Sequence, residues 1–271
     1  RIIDAGGSED PNQTNLIRDF DAREISDLPF GWNVPNWLSK SALQEALVSS
    51  DKAEFLGSVA TTQVFTRDAG ARILLSTGQT LSARLVIGAD GRNSLVRQSA
   101  GISVRTTHFG QKAMAFAVTH PIPHDNISTE IHRRGGPFTL VPLPDHEDRP
   151  SSAVVWMETS AETARLMALP PEAFEKEMSE RSCYVLGSLK LATARSVWPI
   201  ISQIAERLNG KRIALVAEAA HVIPPIGAQG LNMSLSDIKT LRDIAALSND
   251  IGAPDVLEKY HQERINDVRM R

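Results

Sequence analysis

The chain has 271 residues, one cysteine, and 29 Lys plus Arg against 32 Asp plus Glu, a formal net charge of −3. That length can hold one large domain or two ordinary ones, and balanced charge with no long basic block argues against a nucleic-acid partner. A lone cysteine excludes an internal disulfide framework and a cysteine-rich zinc site, and no stretch approaches the roughly 18 consecutive apolar residues of a membrane-spanning helix.

The opening "RIIDAGG" has the pattern of a strand and lacks the order of a signal peptide, so the chain reads as a fragment whose beginning lies elsewhere. Residues 16–25 and 54–87 alternate apolar and polar side chains in short runs, the signature of strands and hairpins. Between them "NWLSKSALQEAL" sets Trp37, Leu38, Ala42, Leu43, Ala46 and Leu47 on one helical face. Residues 111–158 hold four β-rich runs punctuated by Pro and Gly, which predicts an antiparallel sheet. Helices follow at "SAETARLMAL" and "PEAFEKEMSER", the second opened by a proline where a first turn tolerates it. Cys183, just beyond, is read as structural.

After the apolar strand "KRIALVAEAA" comes "HVIPPIGAQGLNMSLSDIKTL", a turn with two prolines and two glycines that leads into a helix. Leu231, Leu235, Ile238, Leu241 and Ala245 recur at helical spacing and predict its buried stripe. Strand, glycine turn and helix together aim backbone N–H groups and the positive end of the helix dipole at a bound anion or carbonyl. A second such junction stands at "LVIGADGRNSLVRQSAG", where Ser94 is placed to cap a short helix carrying Arg97. The final segment, "PDVLEKYHQERINDVRMR", is a further helix. The seven histidines form no H-E-x-x-H motif and no metal is expected.

Together, "GADGRNSLVR" and "AEAAHVIPPIGAQGLNMSLSD" resemble the Asp-Gly motif and the second FAD motif of the flavin-dependent aromatic hydroxylases, single-component monooxygenases of the p-hydroxybenzoate hydroxylase type. "FGWNVPNWLSKSAL" has the look of the segment between that family's early strands, so the likeness covers nearly the whole chain. It implies a mixed α/β FAD-binding lobe, residues 1–104 and 206–271, interrupted by an antiparallel β-sheet substrate lobe at 105–205. It also implies NAD(P)H as electron donor, and hydroxylation of an aromatic ring with O2. Within the family the features lean toward the ring hydroxylases of ubiquinone biosynthesis, with a prenylated phenol as substrate.

Carried over by position, the resemblance puts Asp90, Gly91 and Arg97 near the diphosphate and nicotinamide path, Glu218 on the ribityl chain and Asn36 in the ribityl-phosphate region. The turn Gly227, Ala228, Gln229, Gly230, Leu231 and Asn232 would address the flavin's pyrimidine edge through its backbone, with Pro225 and Ile226 on the substrate side. His221 is expected to pack structurally. Two departures stand out: Ala217–Glu218 replaces the family's Gly-Asp, and none of the 17 glycines forms the Gly-x-Gly-x-x-Gly phosphate loop. FAD is therefore expected to bind weakly to this fragment or to be absent from it. Alternatives are a hydroxylase of a small phenolic acid, paired by Arg133 or Arg134, and a flavin-free assembly subunit that kept the fold. The protein is expected in the cytoplasm, with a peripheral association with a membrane or biosynthetic complex allowed.

Overall fold

The computed structural model describes residues 1–6, 16–225 and 227–270. Its α-helices are α1 (Asn36–Val48), α2 (Leu95–Ser99), α3 (Ser160–Ala168), α4 (Pro171–Arg181), α5 (Gln229–Ala245) and α6 (Pro254–Met270). The chain divides into two compact units, Arg1–Ala53 with Gly110–Ile200, and Glu54–Phe109 with Ile201–Arg271. None of the described helices is long and apolar enough to cross a membrane.

The first unit is built on the β-rich run that the sequence predicts. Strand Arg149–Thr159 lies between Val104–Thr119 and Gly136–His146, antiparallel to both, and Thr129–Arg133 continues the sheet beside Gly136–His146. Alternation puts Met114, Phe116, Val118, Phe138, Leu140, Val154 and Trp156 into one core, where Leu166 of α3 and Phe174 and Met178 of α4 cover them. Phe174 meets Phe116 edge to face at 5.3 Å, as Trp156 meets Phe138 at 5.4 Å. Each such side chain, removed from water, contributes roughly 1.5–3 kcal/mol.

Residues 1–53 belong to this unit, whereas the sequence reading assigns them to the cofactor lobe. The reason is pairing: Ile2–Asp4 runs parallel to Glu130–His132 and antiparallel to Leu16–Arg18, which ends the sheet, and Ile3 and Ala5 are buried in its core. Helix α1 also departs from expectation. Its apolar face is uncovered among the described residues, with Trp37 72% and Leu43 71% exposed.

In the second unit, the meander Thr61–Arg67, Gly70–Leu75 and Thr80–Ala83 forms one sheet, while Val86–Gly88 and Ile213–Leu215 pair in parallel in another. Val64, Val96, Leu208, Ile213, Leu215, Met233, Leu241 and Tyr260 are among its core residues. The Tyr260 hydroxyl, deep in that core, donates to the Leu215 carbonyl at 2.7 Å, and burial raises its pKa.

Of the predicted stripe of helix α5 only Leu241 is fully buried, and the inward face is set by other residues. Met233, Asp237, Leu241 and Ile244 are buried, while Leu231, Leu235 and Ile238 are 69%, 54% and 53% exposed. Both rows obey helical spacing, so periodicity alone cannot choose between them. The buried row wins because partners elsewhere in the unit satisfy its aspartate.

Candidate functional site

Parallel pairing of Val86–Gly88 with Ile213–Leu215 brings the two sequence motifs out at the carboxyl ends of neighbouring strands. Open α/β sheets bind their ligands at such ends. The strands approach closely at Gly88, where a Cβ would stand 2.9 Å from the Leu215 side chain and 3.0 Å from Val96. A larger residue there would push the strand and α2 apart.

The first turn is closed by its own side chains. Gly91 takes φ +81°, and the Asp90 carboxylate folds back to accept from Ser94 Oγ at 2.5 Å and from the Val96 N–H at 3.1 Å. Ser94 Oγ in turn accepts the Arg97 N–H at 2.9 Å. Asp90 and Ser94 thus cap α2 together, a role the sequence reading gives to Ser94 alone. Nor does Arg97 reach outward. It is 5% exposed, and its guanidinium donates to the carbonyls of Ala219 at 2.9 Å and Arg92 at 2.8 Å, linking the first motif to the second. Burial lowers its pKa, against the opposing pull of Asp90. Gln203 donates to the same Arg92 carbonyl at 3.0 Å.

In the second motif, Val216 bonds Gly88 through its N–H, and the chain then turns sharply at Ala217, φ +53°. Glu218 follows, largely exposed, with one oxygen 3.6 Å from Arg92 Nε. Asp237, with no exposed surface, accepts from the Ala217 N–H at 3.0 Å, from His221 Nε2 at 2.7 Å and from Arg264 Nε at 2.9 Å. A carboxylate only accepts, so Nε2 of His221 carries the proton. His221 is therefore a buried structural residue, as the sequence predicts, but its partner is ionic. Sequence reasoning assigned no role to Arg92, Gln203, Asp237 or Arg264; no local pattern links them to the turns they hold.

The turn before α5 is different in kind. Gly227 and Ala228 are both left-handed, at φ +65° and +51°, and the N-cap residue of the helix that begins at Gln229, Ala228, makes no side-chain cap bond. A Cβ built on Gly230 meets nothing within 4 Å, and Pro225, Leu231 and Asn232 are exposed. A 17-residue helix thus presents its first N–H groups and positive dipole end without a side-chain cap. Ile226, named with Pro225 on the substrate side, lies outside the described residues. Asn36, the first residue of α1, is exposed in the other unit.

Arg133 and Arg134, named for a substrate carboxylate in the alternative reading, line a cavity of about 690 Å³ in the first unit. Arg133 donates to the carbonyls of Ala5 and Glu180, and Arg134 is exposed. Glu158 already faces Arg181 at 3.8 Å in the same cavity; burial raises the Glu158 pKa and lowers that of Arg181 to about 10. Cys183 is half-buried, and burial raises its thiol pKa. Among the described residues, no group of three or more His, Cys, Asp or Glu could hold a metal ion.

A mixed α/β unit with two motif turns at parallel strand ends, one of them an uncapped helix N-terminus, is the architecture of an FAD-binding domain. The chain belongs to that family: the FAD-binding domain profile matches residues 9–269. It is 37% identical to the ubiquinone hydroxylase UbiL of Rhodospirillum rubrum over 243 residues, 88% of this chain and 56% of that protein. It is 28% identical to the 3-demethoxyubiquinol 3-hydroxylase of Escherichia coli over 252 residues, 92% of this chain and 63% of that one. It therefore spans little more than half the length of these relatives. The fold matches the flavin-dependent monooxygenase PieE, solved with FAD and substrate, at a TM-score of 0.68 and 20% identity over 88% of this chain and 43% of that one.

Proposed function

We propose that this chain is the greater part of an aromatic-ring hydroxylase that uses FAD, NAD(P)H and O2, acting on a prenylated phenol in ubiquinone biosynthesis. The observation that carries this is the uncapped N-terminus of α5. Its left-handed approach and the open space at Gly230 leave backbone donors ready for a flat, carbonyl-bearing ligand. The names of the ubiquinone hydroxylase relatives support the substrate class.

The residues fit FAD in a defined way. The N–H groups at 230–232 would take the carbonyl edge of the ring, and the α5 dipole would favour negative charge there. The Glu218 carboxylate would accept from ribityl hydroxyls, with Arg92 beside it to hold its charge. Asp90, Gly91 and Arg97 shape the adjoining turn from within, and Pro225 borders the substrate side. Asn36 is proposed for the ribityl-phosphate region. When bound, FAD supplies the redox and oxygen chemistry; the protein binds, orients and excludes water.

The test is a fluorescence titration with FAD of the protein extended to its relatives' length, followed by NAD(P)H oxidation assays with a prenylated phenol and with a small phenolic acid. Binding of FAD, with turnover stimulated by the prenylated ring, is the expected result. Stimulation by the phenolic acid alone would overturn the substrate class, and failure of the protein to bind any flavin when extended to its relatives' length would overturn the whole reading.

A further inference from the structure

Asp237 is the least exposed charged side chain of the second unit, and nothing in the proposed chemistry uses it. A carboxylate removed from water in an apolar row with Met233, Leu241 and Ile244 costs several kcal/mol unless it is fully paired. Here three donors converge on it from three separate places: the Ala217 N–H in the turn, His221 Nε2 in the strand beyond, and Arg264 Nε on α6. Arg264 is itself anchored through Nη1 to Asp267 at 2.8 Å, so the pair is fixed from the α6 side.

The donor at Ala217 stands out, because Ala217 holds φ +53°. That region is strained for a residue with a Cβ, and it persists only where the surroundings over-determine it. Asp237 supplies the hold on one side by accepting the Ala217 N–H. On the other, Arg97 takes the Ala219 carbonyl, and the Ala220 N–H closes back on the Ala217 carbonyl at 2.9 Å. Glu218 lies between the two restraints. Its own largely exposed side chain pairs with half-buried Arg92 at 3.6 Å, so its direction rests mainly on the backbone beneath it.

We propose that Asp237 is a positioning residue for the cofactor. Buried and out of reach of any ligand, it fixes the left-handed turn at Ala217 and so aims Glu218 at the ribityl chain. The proposal rests on the reading that Glu218 faces FAD.

A double-mutant cycle on FAD affinity tests it, read by flavin fluorescence in the flavin-reconstituted protein, with thermal unfolding measured without FAD. Glu218→Ala and Asp237→Asn are each expected to weaken FAD binding by roughly 10-fold to 100-fold, the worth of one hydrogen bond to a charged group. If Asp237 acts through Glu218, the double variant is no weaker than Glu218→Ala alone. A residue that merely stabilised the lobe would give losses that multiply. Multiplying losses, or Asp237→Asn with parental affinity beside a weakened Glu218→Ala, overturn the positioning role and leave the cofactor site intact. Parental affinity in Glu218→Ala overturns the cofactor reading of Glu218, and the proposal with it. Should Asp237→Asn fail to fold, Asp237→Glu enters the same cycle: it keeps the charge for Arg264 while displacing the acceptor from Ala217.

Discussion

The N-termini of α2 and α5, both in the second unit, are written in one sequence grammar and used in opposite ways. At α2, Asp90 and Ser94 satisfy the first N–H groups from within, and the helix is closed. At α5 the N-cap residue does not do so, and two left-handed residues lead the chain in beneath exposed amides. A capped terminus stabilises the fold and has little left to offer a ligand, whereas an uncapped one gives up some stability and keeps its donors. The difference separates a turn satisfied by its own side chains from one whose N-cap residue offers none, although both were read as cofactor contacts on the sequence.

The comparison can be broken most severely at Arg97, which joins the two motifs. Arg97→Ala should cost about 3 kcal/mol in urea unfolding, because it leaves the Ala219 and Arg92 carbonyls short of a charged donor inside the unit. A loss under about 0.5 kcal/mol would mean that the turns stand without that link.

Next comes Gly230→Val, which should weaken FAD binding at least tenfold, about 1.4 kcal/mol, with an unchanged melting temperature in the absence of FAD. The structure sharpens this expectation. Among the described residues, a Cβ at Gly230 meets nothing within 4 Å beyond its own chain neighbours and helix backbone, so a bound ligand is what it would meet. A variant that unfolds earlier yet binds FAD like its parent would place the ring elsewhere.

Asp90→Ala should show the reverse pattern, losing roughly 0.5–2 kcal/mol of stability as a helix cap does, with FAD affinity affected less. An affinity loss larger than the stability loss would return Asp90 to the ligand side of the comparison.

The smallest effect is a pH dependence in the scaffold that carries both junctions. His261 Nδ1 accepts the Leu208 N–H, and burial, helped by the charge of Arg207, lowers the His261 pKa below its ordinary 6.5. A histidine depressed in the folded state contributes stability that is complete above pH 6.5 and is lost as the pH falls through its folded pKa. Acidification from pH 7.5 to 5 should therefore destabilise the protein, and His261→Gln should flatten that limb. Parallel stability curves for parent and variant would assign the acid limb to other groups.

Much of the architecture was legible because it is locally encoded. The Asp-Gly turn, the Pro- and Gly-rich approach to α5, the cap at Ser94 and the alternating strands of residues 111–158 each express backbone preferences within a few residues. The departure at Ala217 was visible too, but not its consequence, since a left-handed alanine shows only in the folded chain. The α5 stripe was misread in part for a related reason: Leu241 was placed correctly, but Leu231, Leu235 and Ile238 look as good beside it as Met233 and Ile244 until the far side of the helix is known.

By itself, the sequence determined the order of the elements, the two motif turns and the family they imply, since these depend on steric preferences of neighbouring residues. Tertiary structure alone decided which turn stays open, which face of α5 is buried and where the charges go. Arg97 finds its carbonyl 122 residues away, and Asp237 is held by Arg264 27 residues on. A buried charge is stable only beside its partner, and that partner is chosen by the packing of distant segments, which no local pattern records.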